Sequence, residues 1–562
     1  MVHHAIGYND LPLELHHLVA EEITDTQSLL ALTFVSQNLH IAYNPELFKS
    51  VNKVKGLITL ATAQNERYPL RDTHPAAFVR HLDIWIPHED LGGPEAHRKE
   101  VKLTRIVQEH MPRALHNISL YGRKATLRSL TIDLHIGTTS FAKLIGNIDE
   151  GKEPFGSLQQ LSIRCCFPVN DFRQSLVKLK MALGPSLLSI EFHRPLDDEV
   201  DGPTAADPRS FSKFLSQVGE RCGNLTRLCI EVPGGQRKPF HDLQAQFDDR
   251  AFTFPSLEVF SLTDRRSFSQ SVEHTRALDI TTFIQRHRDI RELAYHCLHE
   301  MSFTENQDIV PNLTRFSGYL PEAGKLCKNG RRPLESLVVL IDRRSNEVVE
   351  RDELYKDLKQ TATIRRLIVQ DTRHHQLFVE GICSYDIHTI VEACPNLTHL
   401  QCTFNQSATA TLLESMLVLR NLSELEHLKI LAVQGFCGVF KNQHDETLRH
   451  ADLHRFAESS GRKLTLKIRE ALNQHQRLQT VLVVVYGWFG QPRPLFERPP
   501  IEVRFAFRKK NDGFHIERQI DNKEWDFGSP TCHTAIHQYT RHVAGEAKTF
   551  EILRGQAPSI EG

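Results

Sequence analysis

Apolar and polar positions repeat in one short figure along most of the chain: an apolar residue, two variable ones, an apolar one, a variable one, an apolar one. It reads "VRHLDI" at 79, "LRSLTI" at 127, "LQQLSI" at 158, "LLSIEF" at 187, "LTRLCI" at 225 and "LEVFSL" at 257. It continues as "IRELAY" at 290, "LTRFSG" at 313, "LESLVV" at 334, "IRRLIV" at 364, "LTHLQC" at 397, "LEHLKI" at 425 and "LQTVLV" at 478. These are about thirteen copies spaced by roughly 30 residues, within the range of leucine-rich repeats. The last four residues of each copy alternate, which predicts a strand with one buried face. Between the copies, "SFSKFLSQVGERCGN", "LDITTFIQRHRD", "YDIHTIVEACPN" and "LTLKIREALNQHQR" place apolar residues three and four apart. They predict helices that end just before the next strand.

A doubly wound nucleotide-binding sheet would alternate in the same way. It needs a phosphate loop, and no predicted strand leads into G-x-G-x-x-G or G-x-x-x-x-G-K-[ST]. So many strands also exceed a usual open sheet, whereas a solenoid grows because each unit touches only its neighbours. The expected fold is therefore α/β, with an irregular solenoid over residues 79–500. Later strands change character: "ESLVVLID" and "LQTVLVVVYGW" are apolar at both alternating sets, which predicts cover on both faces. The expected cover is the segment 501–562. In it "IEVRFAFRKKNDGFHIERQI" predicts a hairpin turning at Asn511, Asp512 and Gly513, followed by a helix from about 533 to 550.

The first 50 residues follow another pattern. Leu11, Leu15, Leu18 and Val19 form one helical stripe with Pro12 in its first turn. Asp25 or Thr26 is placed to cap a second helix carrying Leu29, Leu32 and Val35, with Leu30 and Phe34 on the adjoining face. Pro45 is expected to break the chain before "ELF". Three short helices with apolar residues on several faces leave a patch that something else must cover.

This stretch resembles an F-box over residues 8–52, through "LPLEL", "SLLALTFVSQNLH" and "NPELF". The remainder resembles the irregular leucine-rich arrays found behind F-boxes, particularly in filamentous fungi. The resemblance implies a three-helix F-box, a helical linker at 53–78, a horseshoe-like repeat array at 79–500 and a C-terminal hairpin-and-helix cap at 501–562. It also implies a role: the substrate-recognition subunit of a cullin-RING (SCF-type) ubiquitin ligase, with no catalytic residue of its own. The adaptor-binding residues it implies are Leu11, Pro12, Leu15, Leu18, Leu29, Leu32, Val35, Leu39, Leu47 and Phe48. Leu39 stands where many members have Trp, and Ser36 where Cys is frequent. The alternative is a helical cap closing a non-catalytic scaffold for protein–protein interaction.

Composition narrows the partners. The 68 Lys and Arg offset 69 Asp and Glu, leaving no bulk field for nucleic acid or an anionic membrane. No run reaches the length of a membrane span and the N-terminus lacks a signal-peptide pattern, so a cytoplasmic or nuclear location is expected. The 11 cysteines are scattered without C-x-x-C pairing, and histidine clusters lack partners at ligand spacing, so no disulfide framework, metal or other cofactor is expected. The triplets "NLT" at 224, 312 and 396 match the glycosylation sequon, but each falls at a helix-to-strand corner, where Asn suits a turn. Variable strand positions line the inner surface of a solenoid; here they include Thr131, Asp133, Ser162, Arg164, Glu191, His193, Glu231, His296 and Gln370. Their mixed signs suit a protein substrate, and Arg164, Glu191, His193 and Glu231 are the candidate contacts.

Overall fold

A computed structural model describes residues 11–23, 25–63, 74–86, 94–122, 127–134, 141–145, 155–165, 169–193, 208–232, 241–264, 278–297, 301–302, 309–330, 332–341, 347–361, 363–371, 384–404, 418–433, 446–487 and 501–520. It is a mixed α/β protein in two compact units. The first holds Met1–His88, Arg98–Val259 and Ser271–Leu278, the second Glu89–His97, Phe260–Gln270 and Asp279–Gly562.

Every copy of the repeated figure is a strand. In the first unit β1 (Ser50–Val51), β2 (His81–Trp85), β3 (Ser129–Leu134), β4 (Gln160–Cys165), β5 (Ser189–His193) and β6 (Arg227–Val232) pair in chain order, all parallel. The second unit contains β7 (Val259–Asp264) from Phe260 on, β8 (Glu292–His296), β9 (Arg315–Tyr319), β10 (Ser336–Ile341) and β11 (Arg366–Asp371). It continues with β12 (His399–Phe404), β13 (His427–Val433) and β14 (Thr480–Gly487). From β8 to β14 the pairs are again parallel and in chain order. One expected element has company: the pairing begins at Ser50, where β1 meets β2 through Ser50↔His81.

The figure's apolar positions are the core. Leu127, Leu130 and Ile132, Leu225, Leu228 and Ile230, and Leu397, Leu400 and Cys402 are all at most 1% exposed. Burying such a side chain is worth about 1.5–3 kcal/mol, which a strand without this periodicity would forgo. The corner before each strand carries a second repeating device. In the first unit the carbonyl of Arg80 accepts from the N–H groups of both Arg128 and Ser129, that of Arg128 from Gln159 and Gln160, and that of Gln159 from Leu188 and Ser189. In the second, the carbonyls of Arg291, Thr314, Glu335, Arg365, Thr398 and Glu426 each take two N–H groups from the following corner in the same way. The "NLT" triplets belong to this device. The hydroxyls of Thr226, Thr314 and Thr398 donate to the carbonyls of Leu188, Arg291 and Arg365 at 3.0, 3.1 and 3.1 Å, and the Asn224 amide donates to the Pro185 carbonyl at 2.9 Å.

The expected hairpin is present. β15 (Ile501–Lys510) runs antiparallel to β14, and β16 (Gly513–Ile520) antiparallel to β15, with Lys510 opposite Gly513. Gly513 has φ 120°, a conformation that favours glycine, and an added Cβ would press on the Asn473 side chain. The helix Glu446–Leu472 packs on the hairpin, and Arg469 fastens it by donating to the Phe514 carbonyl at 2.8 Å. β16 carries a bulge opposite Ala506/Phe507. The helix expected at 533–550 lies outside the described residues.

The N-terminal helices are α1 (Leu13–Glu22), α2 (Thr26–Thr33) and α3 (Gln37–Lys49). Asp25 caps α2, accepting from the Gln27 and Ser28 amides at 3.2 and 2.7 Å. Ser36 caps α3 by accepting from the Leu39 amide at 3.2 Å. Pro45 does not end α3, contrary to expectation. Proline inside a helix costs about 3 kcal/mol, but Leu39, Ala42 and Tyr43 before it and Leu47 after it pack into one core, and the helix continues through. Two further helices follow, α4 (Val54–Thr62) and α5 (Pro94–Tyr121), held together by the Asn117 amide donating to the Leu60 carbonyl at 2.7 Å.

Candidate docking surfaces

The bundle of α1–α3 buries a small core of Ala20, Leu29, Leu39, Ala42 and Tyr43, with Ile23, Leu32 and Leu47 half-buried against it. A large share of its apolar side chains stays outside. On α1, Leu15 is 43% and Leu18 58% exposed, with Val19 beside them; around the end of α2, Phe34 is 79% and Val35 61% exposed, with Leu30 nearby. The capping chemistry fixes where α2 begins and so which residues face out. The Ser28 hydroxyl and amide and the Gln27 amide hold the Asp25 carboxyl below the usual carboxylate range.

The ten adaptor-facing candidates divide accordingly. Pro12, Leu15, Leu18 and Val35 are exposed; Leu11, Leu32, Leu47 and Phe48 are half-buried; Leu29 and Leu39 lie inside the bundle. Leu13, Val19, Leu30, Phe34 and Ile41 are exposed large apolar residues of the bundle that the ten omit. The signal for Leu30 and Phe34 is present in the sequence as an apolar stripe adjoining that of Leu29, Leu32 and Val35, but periodicity alone does not say which stripe the bundle itself consumes.

The inner face of the strands is the second surface. In the first unit the Asp83 carboxylate accepts from the Ser129 hydroxyl at 3.0 Å. Glu191 accepts from the Arg227 guanidinium at 2.8 Å and from the Ser162 hydroxyl at 3.3 Å, so these strands are bridged side chain to side chain. Glu231 lies on the same face but is only 3% exposed. Arg164 and His193 are in register with each other on β4 and β5, while their side chains lie outside the described residues. Trp85, at the end of β2, is 57% exposed and lies outside the candidate contacts. Its lone aromatic ring in a variable position gives no periodic signal.

In the second unit His296 meets the Ser317 hydroxyl at 2.7 Å, and burial holds its imidazole down to about 4. Further along, the face closes: Gln401 and Lys429 are each 2% exposed, and His427 bonds the Thr480 hydroxyl at 2.6 Å with its ring 4.6 Å from that of His399. Polar side chains are buried here, but the part of the expected cover that is described, residues 501–520, extends the sheet beyond β14 as β15 and β16 and does not lie across its face; residues 521–562 lie outside the described residues. Among the described residues there is no cluster of metal-ligating side chains, and Cys222, Cys229, Cys297, Cys327, Cys394 and Cys402 are buried thiols without disulfide partners. No described helix is long and apolar enough to cross a membrane. No family model and no curated protein matches the chain.

Proposed function

We propose that the chain is the substrate-recognition subunit of a cullin-RING (SCF-type) ubiquitin ligase, whose bundle α1–α3 binds the adaptor and whose inner strand face binds a protein substrate. One observation carries the reading. The bundle has a closed core, yet it keeps Leu15, Leu18, Phe34 and Val35 in water, a pattern expected of an interaction site. Together with the F-box-like sequence, it favours an adaptor as the partner. Such a subunit carries out no chemistry; it raises the effective concentration of a substrate lysine beside the ligase's charged carrier. The decisive variants are Phe34→Asp and Val35→Asp, because both side chains point to solvent and their replacement spares the core. Each should fold like the parent and lose co-purification with the adaptor. A folded variant that still co-purifies, or a parent chain that never does, ends the proposal.

A second reading has its own observation. The end of α3 is continuous with the strand stack: β1 pairs with β2, and the Arg80 amide donates to the Lys49 carbonyl at 2.9 Å. That attachment suits a bundle acting as a terminal cap of a non-catalytic scaffold.

A further inference from the structure

The helix α5 presents a surface that neither reading uses. Its inward side is apolar, with Val107, Met111, Ala114, Leu115 and Ile118 all buried. On the opposite side Arg98, Lys102, Arg105 and Arg113 are exposed. At 3.6 residues per turn these four fall within an arc of about 80° and extend over about 22 Å, a straight cationic stripe. Among the described side chains of this face, only Glu109 interrupts it with negative charge.

Several cationic side chains elsewhere among the described residues are matched across neighbouring repeats. Arg227 meets Glu191, Arg315 meets Glu292, and Lys359 meets Glu392 across adjacent units at 2.8, 2.9 and 3.1 Å. Arg98, Lys102, Arg105 and Arg113 make no hydrogen bond or ion pair among the described residues. Glu109 is one helical turn from both Arg105 and Arg113, yet pairs with neither. With 68 basic against 69 acidic residues in the chain, the stripe is local and not a by-product of overall charge.

We propose that the outer face of α5 docks an acidic helix of a partner protein. A single row of charges one turn apart matches the i, i+4 spacing of carboxylates along another helix. Val101, 43% exposed beside the stripe, offers apolar area that a protein partner can bury and a phosphate backbone cannot. The surface lies outside α1–α3 and the inner strand face, so the proposal stands or falls apart from the ligase reading.

The test uses the full chain and a fluorescently labelled helical peptide of about 20 residues with Glu at i, i+4 spacing, followed by anisotropy. The expected result is saturable binding that weakens with added salt. Binding should fall at least ten-fold in the variant R98Q/K102Q/R105Q/R113Q. It should stay unchanged in K213Q/R250Q/K463Q, which removes exposed cations elsewhere. All seven positions are exposed, and circular dichroism of both variants should match the parent. No measurable binding, or binding equally reduced by the control variant, overturns the proposal. So does stripe-dependent binding of duplex DNA or of phosphatidylserine vesicles that exceeds binding of the peptide, since it would assign the stripe to another class of partner.

Discussion

Leu39 and Phe34 lie five residues apart in the sequence and play opposite parts. Leu39 is fully buried and Phe34 is 79% exposed. Leu39→Ala opens a cavity and should cost about 2–5 kcal/mol, lowering Tm before any effect on partner binding is seen. Phe34→Ala should change stability by no more than about 0.5 kcal/mol. If the bundle docks an adaptor, Phe34→Ala weakens capture at unchanged Tm; paired melting and pull-down measurements separate the two. His287 gives a pH prediction of the same kind. Its ring donates to the Phe283 carbonyl at 2.7 Å and lies 4.1 Å from the Phe283 ring, and burial pushes its imidazole down to about 4 from an ordinary 6.5. The unfolded chain then binds a proton that the folded one refuses, so stability is full above about pH 6.5 and is lost as pH falls toward 4. The loss is at most about 1.4 kcal/mol per pH unit. His287→Leu should flatten that part of a Tm–pH curve; an unchanged slope would assign the acid sensitivity to other groups.

At the scale of elements, the strands were the most legible part of the sequence. A figure such as "LTRLCI" fixes strand, register and buried face together, because a slip of one residue would move Leu228 and Ile230 to the wrong side. The corners were half legible. Asn224 is legible as a turn residue, and it is one; that its amide and the Thr226 hydroxyl both reach carbonyls of the preceding repeat is not legible, since no local rule names an acceptor 38 or 39 residues away. Thr226→Val should therefore cost about 0.5–1.5 kcal/mol, while Thr226→Ser keeps most of the bond; urea unfolding of the pair measures it. The path of α3 through Pro45 was not legible, since the side chains that outweigh the proline come from α1 and α2. The docking surfaces were legible as patterns of apolar and charged residues. Which members of each pattern face outward was not, because that depends on what each neighbour has already buried.

For the whole molecule, the question is how far each stack of strands depends on what closes it. A chain beginning at residue 53 loses α1–α3 and β1 together and bares β2. If the bundle serves mainly as a docking module, that chain stays soluble and melts near the parent's temperature; aggregation would favour the cap reading. The other end is better guarded. β1 offers only two residues for pairing, and β16 is broken midway by a bulge at Glu517, which pairs with Arg508 at 2.6 Å, both poor templates for another strand. The hairpin thus hides β14, whose sequence "TVLVVVYG" is uncharged, free of proline and rich in β-branched residues. A chain ending at residue 487 would leave that row of amides and carbonyls as its last edge. Such a protein should seed fibres that bind thioflavin while the longer chain does not, making β15 and β16 the stopper on a sheet that otherwise has no reason to end.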